Sequence, residues 1–487
     1  PAEKTVILDM AGCSITVASG FSGRPIVNRG TLTVAGNGRI DSSNSTSGRG
    51  SIENFGTLTV ENGEFRGNLN AESANIWNRA GGTAYFHGGT YDTNGTAIAT
   101  EANTTTTITG GTYESPWYPA VDNSGSMTIT GGEFINTSCS SCDGSHWGYT
   151  LRSGKKSSDA YLKIQGVTES SVRVTGVQGG LAVVGGTADI YNGIYETVAC
   201  ENHTDGSTAF YAGYFTGESY VTSTNIYGGT FTSCSKTAVM IGNGNEPPDS
   251  GAGEESTVMI YGGTFTGGDA TKTAVTVEKN NYAVGSATIY NGTFSSDVTE
   301  YLSASVQIVQ RGDEWVVGTL DDLAVAEVDG KKYTTLEEAV KAAQQDGSSG
   351  TVMLLDDTEI TGQVSISKNL TIDLGGFTIT DKDSGWYGLM ISSGTVLLRN
   401  GTIASDNPDG QGLYIYNTAD VTLENMTITG NSGSGMVYLN GSAKLTVDPG
   451  SHIIAKGATE YYDTPKQAVA LFDSSVIHVY GEISAKD

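Results

Sequence analysis

Proline is scarce in this chain, 9 of 487 residues, and basic side chains are outnumbered by acidic ones, 26 against 53. So little proline argues against collagen-like and proline-rich disordered classes. The excess of acid, a formal charge of −27, repels phosphate backbones and anionic lipid, so nucleic acid is not an expected partner. No apolar run is long enough to cross a bilayer, so this segment is not expected to insert in a membrane. No signal peptide precedes Pro1, which leads us to expect a mature chain or a piece excised from a longer one. Cysteine is also sparse. Cys13, Cys139, Cys142, Cys200 and Cys234 make an odd set of five, too few to staple a chain of this length.

Glycine is abundant instead, 67 residues, about twice its usual share, and it recurs within one phrase. "IYGGTF" stands at 226–231 and again at 260–265. Near-copies are "TLTVENGEF" at 57–65, "TAYFHGGTY" at 83–91, "TITGGTY" at 107–113, "TITGGEF" at 128–134, "IYNGIY" at 190–195 and "IYNGTF" at 289–294. Self-similarity at such periods is the signature of a solenoid. Residues before each glycine pair alternate, as in Thr107, Ile108, Thr109, which is the pattern of a strand buried on one side. The glycines permit a sharp turn, and the aromatic two residues later resumes the inward face. One unit cannot bury its apolar side alone; units stacked about 4.8 Å apart share a core.

The fold class expected is therefore all-β, a parallel β-helix with loops bulging from individual coils. A β-propeller needs four strands per repeat, and spacings of 21 or 22 residues between aromatics are too short for that. The gap from Phe134 to Tyr195 hides one or two degenerate coils, with "YLKIQGV" at 161–167 and "VRVTGV" at 172–177 as their strands.

After Phe294 the pattern changes. "VQIVQRGDEWVVG" at 306–318 reads as a closing strand or hairpin, and residues 331–487 as a second β-helix module behind a linker at 319–330. Leu336, Ala339, Val340 and Ala343 fall at helical spacing, with Thr334 and Glu337 as a capping box, so a short amphipathic helix opens the second module and plugs its end. "TVILDMAGCSITV" at 5–17 echoes "LTIDLGGFTIT" at 370–380. The first module, residues 1–318, should then have had its own cap upstream, in a longer parent protein.

The series "VAEVDGKKYTTLEEAVKAA", "VMLLDDTEITGQVSISKNLTIDLGGFTIT", the repeated "IYGGTF" and the closing "GDEWVVG" resembles the pectate-lyase-like β-helix modules of large surface and adhesin-like proteins of Gram-positive gut bacteria, the Firmicutes. The resemblance covers nearly the whole chain. It implies a right-handed β-helix, two modules in tandem, secreted and displayed on the cell surface. It implies no single activity, because function resides in sites rather than folds.

Polysaccharide lyases and polygalacturonases share this fold, so a carbohydrate-active enzyme is the alternative to an adhesin or stalk, and a plain structural spacer the second alternative. Lyases hold Ca²⁺ on clustered acids beside a basic residue; hydrolases need close pairs of Asp. Asp356-Asp357 lies in a turn and Asp321-Asp322 in the linker, and no ordered set of catalytic motifs follows the coils. No catalytic residue and no cofactor is assigned, Ca²⁺ being the one ion such an enzyme would call for.

The candidate binding surface is instead 114–156 with 200–220. It concentrates Trp117, Tyr118, Trp147, Tyr149, Tyr211 and Tyr214 with Arg152, Lys155, Lys156, Asp143, Glu201 and Asp205. Aromatic faces stack on sugars and polar neighbours orient hydroxyls, so glycans or host surface molecules are the expected partners; the structural alternative is aromatics packing loops onto the coils. Cys139, Cys142, Cys200 and His203, with His146 as a substitute, have the spacing of a Zn²⁺ site. A disulfide among Cys139, Cys142, Cys200 and Cys234, or plain packing, explains the same residues, and Cys13 is expected in the core. The "RGD" at Arg311 to Asp313 reads as an ordinary turn. Threonine runs such as Thr104 to Thr107 suggest the flat ladders of ice-binding faces, but coils of unequal length are expected to break the rows.

Overall fold

The computed structural model describes residues 3–45, 49–67, 73–116, 118–136, 149–155, 157–177, 179–199, 208–213, 221–242, 254–268, 273–278, 283–382, 387–405, 411–430, 435–456 and 467–485. The chain divides into two compact units, Pro1–Val317 and Gly318–Asp487.

In the first unit the chain passes through three sheets in turn and then repeats the circuit. Among the described residues sheet I has 11 strands, from Thr5–Asp9 to Ala283–Ile289, and sheet III has 10, from Ile26–Asn28 to Val275–Val277. Sheet II runs from Ser14–Thr16 to Gly292–Phe294 and is closed by two further strands, Glu314–Gly318 and Gln307–Arg311. Strands one circuit apart pair in parallel, so the copies of the repeated phrase lie on one another: Ile226 is in register with Ile260, and Phe231 with Phe265. This is a parallel β-helix. The gap between Phe134 and Tyr195 holds one extra coil, whose strands Tyr161–Ile164 and Val172–Gly176 occupy sheets I and II; Val174 takes the place of the aromatic.

The phrase works as its pattern suggests. Gly263 has φ +116°, and a side chain there would meet the Gly229 carbonyl oxygen of the preceding coil at 2.8 Å, so only glycine fits the turn. The aromatic after it is buried, and aromatics of successive coils stack. Phe65, Tyr91, Tyr113 and Phe134 follow at 4.8, 4.6 and 5.0 Å; Tyr195, Phe231, Phe265 and Phe294 at 4.6, 5.0 and 5.0 Å. Each stacked pair adds about 0.5–1.5 kcal/mol beyond its burial. Where the column uses tyrosine, the hydroxyl donates to a carbonyl of its own turn, Tyr113 to Gly110 at 2.8 Å, so a polar atom is buried without going unpaired.

A second internal column is polar. Asn28, Asn54, Asn78 and Asn123 end strands of sheet III and are buried where the chain turns into sheet I. Asn28 Nδ2 donates to Asn54 Oδ1 at 2.7 Å, and Asn54 Nδ2 to Asn78 Oδ1 at 2.8 Å. Asn123 Nδ2 donates to Ser153 Oγ at 3.0 Å. These amides serve one another and the turn carbonyls, which could not pair within a sheet at a corner.

Gln307–Arg311 and Glu314–Gly318 bring an antiparallel ending: Phe294 is in register with Trp315, and Ile308 and Trp315 pack on the first core. The RGD triplet lies at this hairpin's turn, with Gly312 at φ +59°.

The second unit opens with α1 (Leu320–Leu323), capped by Thr319, followed by the antiparallel strands Ala326–Val328 and Lys331–Tyr333. The stretch 319–330, expected as a linker, is thus part of this unit's fold, with Ala326 and Val328 in its core. Helix α2 (Leu336–Ala343) buries Leu336, Ala339, Val340 and Ala343. Its cap is one residue later than expected: Thr335, not Thr334, accepts from the Glu338 amide at 3.3 Å. Both threonines can cap; Leu336, buried against the core, is the first helical residue. Gln344 then ties the helix to the first strand of sheet V, Val364–Ile366. Its Nε2 donates to the Ser365 carbonyl at 3.0 Å and its Oε1 accepts from the Ser367 amide at 2.7 Å. Among the described residues sheet IV has 12 strands and sheet V has 5, again paired in parallel from Thr351–Leu354 onward. Two strands, Thr395–Ser405 and Asp420–Gly430, run through a corner, each with one residue in the left-handed region, Asn400 and Asn425.

Candidate functional site

Coils of the first unit differ in length, but not at every corner. Turns from sheet I to sheet II take two to four residues in most coils, as at 191–193, 227–229 and 261–263. The surplus lies in connections flanking sheet III: 137–150 and 198–209 on one side, 213–221 and 242–253 on the other. The segments singled out by their aromatics are among them. Their described members meet on the outer side of sheet III, where Asp122, Arg152, Ala182, Tyr211 and Met240 follow in register.

That side carries a small apolar cluster of its own. Tyr149 stacks on Tyr211 at 5.3 Å with the rings 16° from parallel, and Ala182, Val184 and Met240 complete the cluster. Tyr211 is 3% exposed. Burial drives both phenols well above their ordinary titration range, and for Tyr211 the proximity of Tyr149 and Glu278 adds to it. Arg152 closes on Asp122, with Nη2 to Oδ2 at 2.6 Å and Nε to Oδ1 at 3.1 Å, and its side chain is 7% exposed. Tyr149, Tyr211 and Arg152 are therefore spent on packing and pairing. These three expected site residues are thus engaged within the protein, Tyr149 remaining half-buried.

Tyr118 is half-buried, its carbonyl accepting from Asn136 Nδ2 at 3.2 Å, and Lys155 is partly exposed. Trp117, Asp143, Trp147, Lys156, Glu201, Asp205 and Tyr214 lie outside the described residues, as do Cys139, Cys142, His146, Cys200 and His203. Cys234 is a free thiol, its sulfur accepting from the Thr197 hydroxyl at 3.4 Å. Cys13 is exposed rather than in the core, because it follows the turn of Ala11 and Gly12 at φ +43° and +82° on the first coil. Among the described residues no group of three or more His, Cys, Asp or Glu is placed to hold a metal ion.

The outer face of sheet I is different in kind. The corner that follows it is short in most coils, so its rows stay in register while coil length varies elsewhere. Thr31, Thr57, Thr83, Thr105 and Ser126 form one column, and Thr33, Thr59, Tyr85, Thr107 and Thr128 the next. The expectation that unequal coils break the threonine rows fails for this reason. Further along, Tyr191, Tyr227, Tyr261 and Tyr290 stack at 4.7, 5.1 and 4.8 Å at the edge of the same face. The first three are 37, 41 and 36% exposed.

Beside this ladder Asp189 accepts from the Tyr161 hydroxyl and from Asn225 Nδ2, both at 2.9 Å. Tyr161 is pushed up to about 12, by burial first and then by Asp189. Lys163 Nζ lies 5.3 Å from the Tyr191 ring centre and is the register neighbour of Asp189. The repeated phrase contains these tyrosines, in "IYNG" and "IYGG". Strict alternation with the inward isoleucine was the signal that they point outward.

Comparison of the chain with family models, with curated proteins and with solved structures gave no match.

Proposed function

We propose that this chain is a non-enzymatic part of a bacterial cell-surface protein, a stalk whose lateral surface binds glycans or host surface molecules. The observation that supports this reading is the outer face of sheet I, an ordered array of hydroxyl and phenol groups. The resemblance to pectate-lyase-like modules of Gram-positive surface proteins points the same way and favours an extracellular location. The connections flanking sheet III, with Trp117, Tyr118, Trp147 and Lys155, are the second candidate surface.

The test is a glycan array run alongside a product assay on the same glycans. Retention without new reducing ends or an ultraviolet-absorbing unsaturated product is the expected result. Product formation would make the chain a lyase or hydrolase. Neither retention nor product would leave it a spacer.

A further inference from the structure

We infer that the outer face of sheet I binds an uncharged polysaccharide through the edges of its tyrosine ladder, the polymer lying along the line of stacked coils. This rests on the glycan-binding reading above and names its ligand class and place.

The ladder's geometry decides how it can bind. Tyr227 has Tyr191 against one ring face at 4.7 Å and Tyr261 against the other at 5.1 Å; Tyr261 is likewise held between Tyr227 and Tyr290. Those faces are occupied, so a sugar cannot stack on them as it does on an isolated aromatic platform. What remains open is the ring edge with its phenol oxygen, one per coil, that of Tyr261 also donating to Met259 Sδ at 3.3 Å. Such a row offers hydrogen bonds at a repeat of about 4.8 Å. Two coils rise about 9.6 Å, close to the length of one disaccharide in an extended β-1,4-linked chain.

Charge selects the ligand. In the paired strand positions on the outside of sheet I the charged side chains, among the described residues, are Asp9 on the first coil, Lys163, Asp189 and Glu255; the two beside the ladder, Lys163 and Asp189, are neighbours and of opposite sign. Asp189 is already engaged by Tyr161 and Asn225. The outside of sheet II carries ion pairs instead, Arg39 with Glu64 and Arg173 with Glu196. In a chain of net charge −27 an anionic polymer such as a polyuronate meets repulsion, and a polycation has better partners than a neutral hydroxylated strip. A neutral, hydroxyl-rich chain matches this face.

The full chain is incubated with microcrystalline cellulose, chitin and polygalacturonate at low and high salt. Retention is expected on an uncharged β-1,4-linked polymer, little altered by salt. The variant Tyr227→Phe/Tyr261→Phe keeps the stack and removes two exposed hydroxyls, so it is expected to melt like the parent and bind about tenfold more weakly. A platform that stacks sugars would not notice this change. The inference is overturned if the double variant binds as the parent does, if Tyr118→Ala or Lys155→Ala alone abolishes retention, or if polygalacturonate is the polymer retained. In each of those cases the general glycan-binding reading survives. Retention on none of the polymers overturns the inference, and a blank glycan array overturns the reading beneath it. Adsorption to ice in place of any polysaccharide would overturn both.

Discussion

At Asn54 a carboxamide does work that an apolar side chain of the same size could not. Its Oδ1 accepts from Asn28, and its Nδ2 donates to Asn78 and to the Thr83 carbonyl at 3.0 Å, all inside the coils. Replacing Asn54 with Ala takes the donor from buried Asn78 Oδ1 and from the Gly56 and Thr83 carbonyls, while Asn28 Nδ2 keeps only the Thr57 carbonyl. Each orphaned group costs about 1–3 kcal/mol, so a fall of at least 2 kcal/mol is expected in denaturant unfolding of the first unit. The pattern was visible as Asn-x-Gly at 28–30, 54–56 and 123–125, but it reads as a turn until stacking shows the amides to be neighbours. The tyrosines behave similarly. Tyr195 and Tyr191 stand four residues apart in one phrase, yet Tyr195 is buried and Tyr191 is 37% exposed, a division made by the turn at 191–193 that separates the sheet I strand from the sheet II strand.

Among the elements, helix α2 was the most legible, because Leu336, Ala339, Val340 and Ala343 mark one face by spacing alone. Where that face goes is a tertiary matter: Val340 joins the second unit's core, the helix lying against the strands Ala326–Val328 and Val364–Ile366. Val340→Asp puts an unpaired carboxylate there and is expected to cost about 3 kcal/mol or more. Hydrogen exchange would show lost protection in Val364–Ile366 and neighbouring strands, with protection kept in the first unit's separate core. Equal loss in both units would contradict the assignment of α2 to the second core alone. The strands were legible for the same reason as the helix. Which connections grow long was also readable, but not that they gather on either side of sheet III, since that depends on how many residues each coil spends at each corner.

For the whole molecule, acid is the informative stress. In the first unit Glu64 is partly desolvated, which pushes its pKa up, but hydrogen bonds from Arg39 and Arg66 outweigh this and hold it below the usual range. In the second unit Asp373 is lowered in the same way, burial being outweighed by Asn400, the Gly375 amide and Arg399. A carboxyl that binds its proton less readily when folded stabilises the fold above its unfolded pKa, about 4. That contribution is lost as pH falls through the folded value. Denaturant midpoints of both units are therefore expected to drop below about pH 4. A midpoint that holds or rises there would show that relief of the repulsion within a chain of charge −27 dominates instead.

The sequence by itself determined the strands, the glycine turns, the inward aromatics and the helix before the second module. Each of these is a local matter of backbone freedom and of side-chain period along one strand or turn. Tertiary structure alone decided that Tyr149 stacks on Tyr211 and Arg152 pairs with Asp122, that threonine rows survive unequal coils, and that four tyrosines stand face to face at the surface. Those outcomes depend on register between coils some 20 to 60 residues apart, and register follows from where each coil places its surplus chain rather than from any local pattern.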